Sequence, residues 1–420
     1  MAKRELLQSI GTVLTAIVIS SGFAMAQELI KQPKRQAAAE SPTGRNSYTV
    51  ACYYFPNYHV DPHNEELHGP DWTEWELLKN ARPRFEGHNQ PKVPLWGYTD
   101  ESDPTAMAKK IDAAADNGID VFIFDWYWYN NAPFLEGGLE KGFLKAPNNN
   151  RLKFCLMWAN HDYPDVFPSR LSNRMPTIYP GDVTRKMFDD AIDYTISKYF
   201  KHPSYWLIDG CPYFSIYDLT TLMKGLGSKE ATKEALASFR AKTKNAGFKD
   251  LHLNVVVHGQ TTLPGEAATP DVNELVTYLG FDSVTSYVWI HHVKLKDFPE
   301  TDYNYVRDRY FKYWDKAQNE FGLPYFPNVS MGWDSTPRTL QSDKYINAGY
   351  PFIATISNNT PKRFREALAI TKKRLDKSAN SHKILNINAW NEWTEGSYLE
   401  PDTVNGMAYL EAVKEVFGKE

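Results

Sequence analysis

Ile119-Asp120-Val121-Phe122-Ile123-Phe124-Asp125-Trp126 is a short run of β-branched and aromatic residues with the look of a buried strand. The residues before it are helical in pattern. Asp103 can cap a helix N-terminus, Pro104 suits its first position, and Met107, Ile111 and Ala115 recur on one face before Gly118 closes it. The run therefore completes a helix-then-strand unit, and it ends on a polar residue, Asp125. Working outward, the same kind of run recurs at Tyr48–Phe55, Lys153–Trp158, Tyr213–Tyr217, Leu251–Val257, Ser283–Tyr287, Tyr325–Ser330 and Ile384–Ala389. Helical patterns separate them. They cover Val183–Phe200, the stretch from Ser228 to Gly247, Tyr303 to Phe321, Thr360 to Leu375 and Met407 to Phe417, with weaker ones near Leu135–Leu144 and Val272–Leu279. Eight strands alternating with helices predict an α/β fold, a single (β/α)8 TIM barrel with long βα loops. A doubly wound sheet would call for a phosphate-binding glycine loop, and neither G-x-G-x-x-G nor G-x-x-x-x-G-K-[ST] occurs.

Composition narrows the partners. The 420-residue chain carries 47 Lys and Arg against 51 Asp and Glu, a formal net charge of −4, so it lacks the basic footprint of a nucleic-acid binder. Aromatic residues make up 14%. They serve either to stack on sugar rings or simply to fill a large core. Residues 1–26 have the layout of a cleavable signal peptide: basic Lys3 and Arg4, an apolar run, then Ala24-Met25-Ala26. The rival reading is an uncleaved anchor. No cysteine lies near the cleavage point, so export to the periplasm or medium is expected, without a lipid anchor or stable membrane insertion. Residues 27–46 are polar and read as a flexible tether, leaving 47–420 as the barrel domain. Cys52, Cys155 and Cys211 read as free thiols, and no His or Cys spacing matches a metal site. No metal and no cofactor are expected.

A barrel builds its site from the C-terminal strand ends, and here those ends are polar and aromatic. They supply Tyr54 and His59; Asp125 and Trp126; Asn160 and His161; Tyr217 and Asp218; His258 and Gln260; Tyr287; Trp333 and Asp334; and Asn391, Glu392, Trp393 and Glu395. Each has an ordinary explanation as a cap or loop hydrogen bond, but together they point to a carbohydrate cleft. Trp72 and Trp75, either side of Glu74, are either a sugar platform or a small loop core. Glu392 and Glu395 carry the sharpest signal. Two carboxyls in a partly desolvated cleft have their proton affinities pushed apart, which suits one acid and one base for glycosidic cleavage. On residues alone, two solvated loop glutamates fit as well.

Asn391-Glu392-Trp393-Thr394-Glu395-Gly396, continuing to Leu399-Glu400-Pro401, resembles the closing motif of glycoside hydrolase family 99 and its WbsX-like relatives. Asp71-Trp72-Thr73-Glu74-Trp75 and Phe85-Glu86-Gly87-His88-Asn89-Gln90-Pro91 resemble the first long loop of the WbsX-like group, and Trp158-Ala159-Asn160 and Gly332-Trp333-Asp334 also fit. The resemblance runs from about Tyr48 to Phe417. It implies a (β/α)8 barrel and metal-independent, retaining cleavage of α-linked, mannose-type glycans. By resemblance, Glu392 is the base that removes the proton from the sugar 2-hydroxyl, so that O2 attacks the anomeric carbon and a 1,2-anhydro sugar forms. Glu395 is then the acid for the departing oxygen and later the base for water. Back-side attack by O2 requires a 1,2-trans glycoside, such as an α-mannoside or α-rhamnoside. Two departures bear on substrate identity: His161-Asp162 follows Trp-Ala-Asn where an acidic residue is usual, and the second strand ends in Asp125-Trp126 instead of a more aromatic or histidine-bearing end.

Two other functions fit. One is a WbsX-like glycosyltransferase of polysaccharide biosynthesis, against which stand the export signal and the lack of a D-x-D pair for a metal-held nucleotide sugar. The other is a non-catalytic glycan-binding protein, which would gain little from two mutually repelling carboxylates. The expected function is thus an exported, polysaccharide-degrading glycoside hydrolase acting on an oligosaccharide or polysaccharide.

Overall fold

The computed structural model describes residues 48–172, 175–262, 266, 268 and 271–418. The expected signal peptide and tether lie outside them.

Eight parallel strands close into a barrel, as the alternation predicted. They are β1 (Tyr48–Tyr54), β2 (Val121–Tyr129), β3 (Lys153–Trp158), β4 (Cys211–Ile216), β5 (His252–Val256), β6 (Ser283–Thr285), β7 (Tyr325–Phe326 and Asn328–Ser330) and β8 (Lys383–Asn388). Each pairs in parallel with its sequence neighbours, and β8 returns to β1 with Cys52 opposite Ile387. β7 is split at Pro327, which has no amide hydrogen for the ladder. Its first piece pairs with β6 and its second with β8.

The outer helices begin where capping chemistry puts them. The carboxylate of Asp103 accepts the Thr105 amide ahead of Pro104–Asp116, and the Ser228 and Thr360 hydroxyls cap Lys229–Asn245 and Pro361–Lys377. Val272–Leu279 is a helix, while the weaker pattern near Leu135–Leu144 is a wide π-turn running into a 3-10 turn. Gly142 lets this segment pack closely, because a Cβ there would sit 2.0 Å from the Glu101 carbonyl oxygen.

The barrel interior is polar in one layer. Ser215 donates to Asn254, which donates to Ser283, both at 2.8 Å. Outside the barrel wall, Lys110 is fully buried and paired with Glu101 at 2.8 Å and Glu400 at 3.1 Å. Such a group holds only while its partners are ionised against it. Cys52 and Cys155 are buried free thiols, and Cys211 is half-buried. Among the described residues, no helix is long and apolar enough to cross a membrane.

Replacing Lys110 by Met would strand two buried carboxylates, so the variant should lose about 3–5 kcal/mol of stability in a denaturant titration.

Candidate active site

At the C-terminal mouth of the barrel, strand parity selects what faces the opening. Asp125 and Tyr127 of β2 line a pocket, while Trp126 between them packs against Trp128 and Trp158 on the other side. Met157 and Ala159 line it from β3 and its exit, and Tyr217, Tyr287, Trp333, Glu392 and Glu395 from the later strand ends. The antiparallel pair Asn391–Glu392 and Ser397–Tyr398, joined by the turn Trp393–Glu395, carries both glutamates. Gly396 closes that turn at φ +62°, and a Cβ there would lie 2.6 Å from the Cβ of Asp334, so the position accepts only glycine.

Arg338 organises the site. It lies in the 3-10 turn Thr336–Arg338 and is buried. Its Nε donates to Glu74 Oε1 and to the Thr394 hydroxyl, each at 3.0 Å. Its Nη2 reaches Glu74 Oε1 at 3.0 Å and Glu392 Oε2 at 3.2 Å. Its Nη1 donates to Glu395 Oε1 and, at 2.7 Å, to the Tyr350 hydroxyl, which in turn donates to the same Glu395 oxygen at 3.2 Å. One guanidinium thus serves three carboxyl groups.

A fourth carboxyl stands opposite. The Tyr287 hydroxyl lies 2.9 Å from Asp125 Oδ2 and 3.1 Å from Glu392 Oε1. Burial raises the proton affinity of Asp125 well above the usual carboxyl range; the Tyr287 hydrogen bond opposes this, while the Glu395 charge adds to it. Burial and then the neighbouring Glu395 push Glu392 well up, against the pull of Arg338. Burial also raises Glu395, to about 7, with Arg338 again opposing and Glu74 adding to the rise. Asp125, Glu392 and Glu395 thus hold protons more tightly than exposed carboxyls would, and this is what an acid–base site needs near neutrality.

Of the side chains expected at the site, seven line the pocket together: Asp125, His161, Tyr217, Tyr287, Trp333, Glu392 and Glu395. Trp72 is half-buried on the first long loop and packs on His68 and on Phe167, itself a wall of the pocket. The rest are engaged elsewhere, outside the pocket lining. Tyr54 faces outward and donates to Glu101 at 2.8 Å. His59 is buried beside Gly137. Trp75 donates to the Thr99 carbonyl and packs on Tyr58, forming a loop core. Asn160 exchanges two hydrogen bonds with the Asp218 backbone, and Asn391 does the same with Phe55. Trp393 donates to Glu400 and stacks on Tyr398. Asp334 opens on a neighbouring, more polar cavity and accepts from Gln90 at 2.7 Å and from Thr336, and its Oδ2 lies 2.9 Å from His88 Nε2. Burial alone would raise Asp334, yet the His88 contact holds it at about 2.

The sequence reading did not pick out Arg338, Tyr350 or the role of Glu74. Glu74 had a signal in its place between Trp72 and Trp75. Arg338 had only its position after the seventh strand. Among the described residues, no group of three or more His, Cys, Asp or Glu side chains is placed to hold a metal ion.

The fold and site together define a (β/α)8 barrel with a buried acidic centre at its C-terminal mouth. The chain belongs to the family described as glycosyltransferase WbsX, which it matches over residues 50–413. A curated relative, the uncharacterized protein WxcX of Xanthomonas campestris pv. campestris, is 27% identical over 371 residues, covering 87% of this chain and 49% of the relative. The chain thus spans about half the length of the curated relatives it matches. Among solved structures, the GH99 endo-alpha-mannosidase from Bacteroides thetaiotaomicron shares the fold with a TM-score of 0.54 and 15% identity, covering 87% of this chain and 95% of that one. A glycoside hydrolase-like protein gives the same TM-score at 17% identity, covering 91% of this chain and 98% of its own.

Because Glu395 binds its proton more tightly when folded than the ordinary value of 4.5, its contribution to stability is full below that value and is lost as pH rises through about 7. Glu395→Gln should therefore gain stability relative to wild type between about pH 5 and about pH 8 in paired denaturation curves.

Proposed function

We propose that the chain is a glycan-active enzyme, an exported glycoside hydrolase that cleaves α-linked, 1,2-trans glycosidic bonds of the mannose or rhamnose type with retention. The observation that carries this reading is the placement of Glu392 and Glu395 on one pocket wall, tied to a single buried guanidinium. Glu392 takes the 2-hydroxyl proton, O2 attacks the anomeric carbon, and a 1,2-anhydro sugar forms as the glycosidic bond breaks. Glu395 protonates the departing oxygen; it then takes a proton from water, which opens the anhydro ring while Glu392 returns a proton to O2. Glu395 suits both duties. Its Oε1 accepts from Arg338 and Tyr350, and a proton affinity near 7 lets it give and take at neutral pH. The aromatic walls, Tyr127, Tyr287 and Trp333 among them, supply faces for sugar rings.

The family description supports a second reading, transfer of a sugar from an activated donor in polysaccharide biosynthesis. The two separate on substrate: release of sugar from an α-linked oligosaccharide supports the hydrolase, whereas turnover only of a nucleotide sugar with an acceptor supports the transferase.

Across a panel of α-manno- and α-rhamno-configured oligosaccharides, wild type should hydrolyse at least one, and Glu392→Gln and Glu395→Gln should each cut the rate about 10²–10⁴-fold. A 2-deoxy analogue should resist cleavage, since it lacks the attacking oxygen. Undiminished cleavage of that analogue, or activity surviving in both variants, removes the mechanism. In wild type the rate should fall as pH rises through about 7, where Glu395 loses its proton.

A further inference from the structure

Glu392 poses a difficulty for any reading in which it is a base. It sits buried among acidic neighbours that favour its protonated form, and a protonated carboxyl removes no proton. Asp125 resolves the difficulty. The Tyr287 hydroxyl touches both carboxyls, at 2.9 Å to Asp125 and 3.1 Å to Glu392. A phenol carries one proton and can donate to one of them. For both contacts to be hydrogen bonds, a second proton must sit on one carboxyl and be donated to the phenol oxygen. With one carboxyl proton, two arrangements satisfy this: a neutral Asp125 with an ionised Glu392, or the reverse; a third, with both neutral, puts a proton on Glu392 Oε2, which faces the Arg338 guanidinium at 3.2 Å.

The surroundings choose between them. Among the described residues, the groups that face Asp125 are Cys52, Tyr53, Tyr127, Tyr217, Tyr287, Glu392 and Glu395, and none of these is a cation. Its Oδ1 is buried with no hydrogen-bond partner among the described residues. Glu392 faces Glu74, Glu395, Asp125, Tyr58, Tyr127, Tyr287 and Tyr350, but also the Arg338 guanidinium, 3.2 Å from its Oε2. Negative charge is therefore better placed on Glu392.

We propose that Asp125 is a proton store: it holds one proton, passes a hydrogen bond through Tyr287, and so keeps Glu392 ionised as the base. The balance is simple. At rest, the three groups share one carboxyl proton and one phenol proton. When Glu392 removes the substrate proton both carboxyls are neutral, and the resting state returns when Glu392 gives that proton back. Asp125 is thus a positioning residue acting through Tyr287. This rests on the assignment of Glu392 as base, but the location of the proton does not.

Infrared spectra of the full chain at neutral pH test it without turnover. In a Glu395→Gln background, which removes the carboxylic-acid signal of Glu395 itself, the carbonyl band of a buried, un-ionised carboxylic acid should disappear on Asp125→Asn, persist on Glu392→Gln and shift on Tyr287→Phe, which keeps the ring but loses the bridge. A band that survives Asp125→Asn in that background puts a proton on Glu392 and overturns the proposal, whether or not Asp125 carries one as well. Where hydrolysis is measurable, the acid limb of kcat/KM gives an independent reading. Asparagine reproduces a neutral Asp125, so the limb should keep its position. If Asp125 were ionised, removing its charge would move the limb down by about one pH unit. Failure to find any hydrolysis would count against the proposed function, while the infrared result would still decide where the proton sits.

Discussion

The contact between Arg338 and three glutamates is the constraint on which the mouth of the barrel depends. A buried guanidinium needs anionic partners, and buried carboxylates need a cation; each makes the other tolerable in a medium that would reject either alone. Glu74 reaches Arg338 from the first long loop, Glu392 and Glu395 from the segment after β8, and Arg338 itself comes from the segment after β7. Three stretches far apart in sequence are thereby drawn to one point. Phe55 and Phe167 lie over the guanidinium at 5.5 and 5.3 Å, adding cation–π contact on its faces.

Behind this centre a second buried ion cluster holds the glutamate-bearing segment from outside. Lys110 joins Glu101 to Glu400, Asn391 donates to Glu101, and Trp393 donates to Glu400. The helix Pro104–Asp116 thus fixes the height and tilt of the turn that carries the candidate catalytic pair. Asn391 and Trp393, which resemble sugar-binding groups in the sequence, are struts of that arrangement. Their place outside the pocket has a physical cause, since a precise acidic centre needs a rigid frame.

Fold and site were legible to different depths. The eight apolar runs and the capped helices between them were readable because burial on a strand and on a helix leaves different periodicities in the chain. Glu392 and Glu395 were visible because two carboxyls between tryptophans stand out. Strand parity was less clear. Tyr54 and Trp126 sit at strand ends as expected, yet each points outward, because successive side chains on a strand face opposite sides and a fully buried strand shows no alternation that marks the inner one.

By itself the sequence determined the alternation of elements, the closure of those elements into a barrel, and the segment that bears the acidic pair, since these follow from local patterns of burial, capping and turn chemistry. Only the tertiary structure decided that Arg338, an arginine without any motif around it, is the cation of the site. It alone showed Tyr287 joining Asp125 to Glu392, and turned Asn160, Asn391 and Trp393 into supports. Those assignments depend on which residues distant in the chain meet in space, and on the low-dielectric burial that gives such meetings their strength.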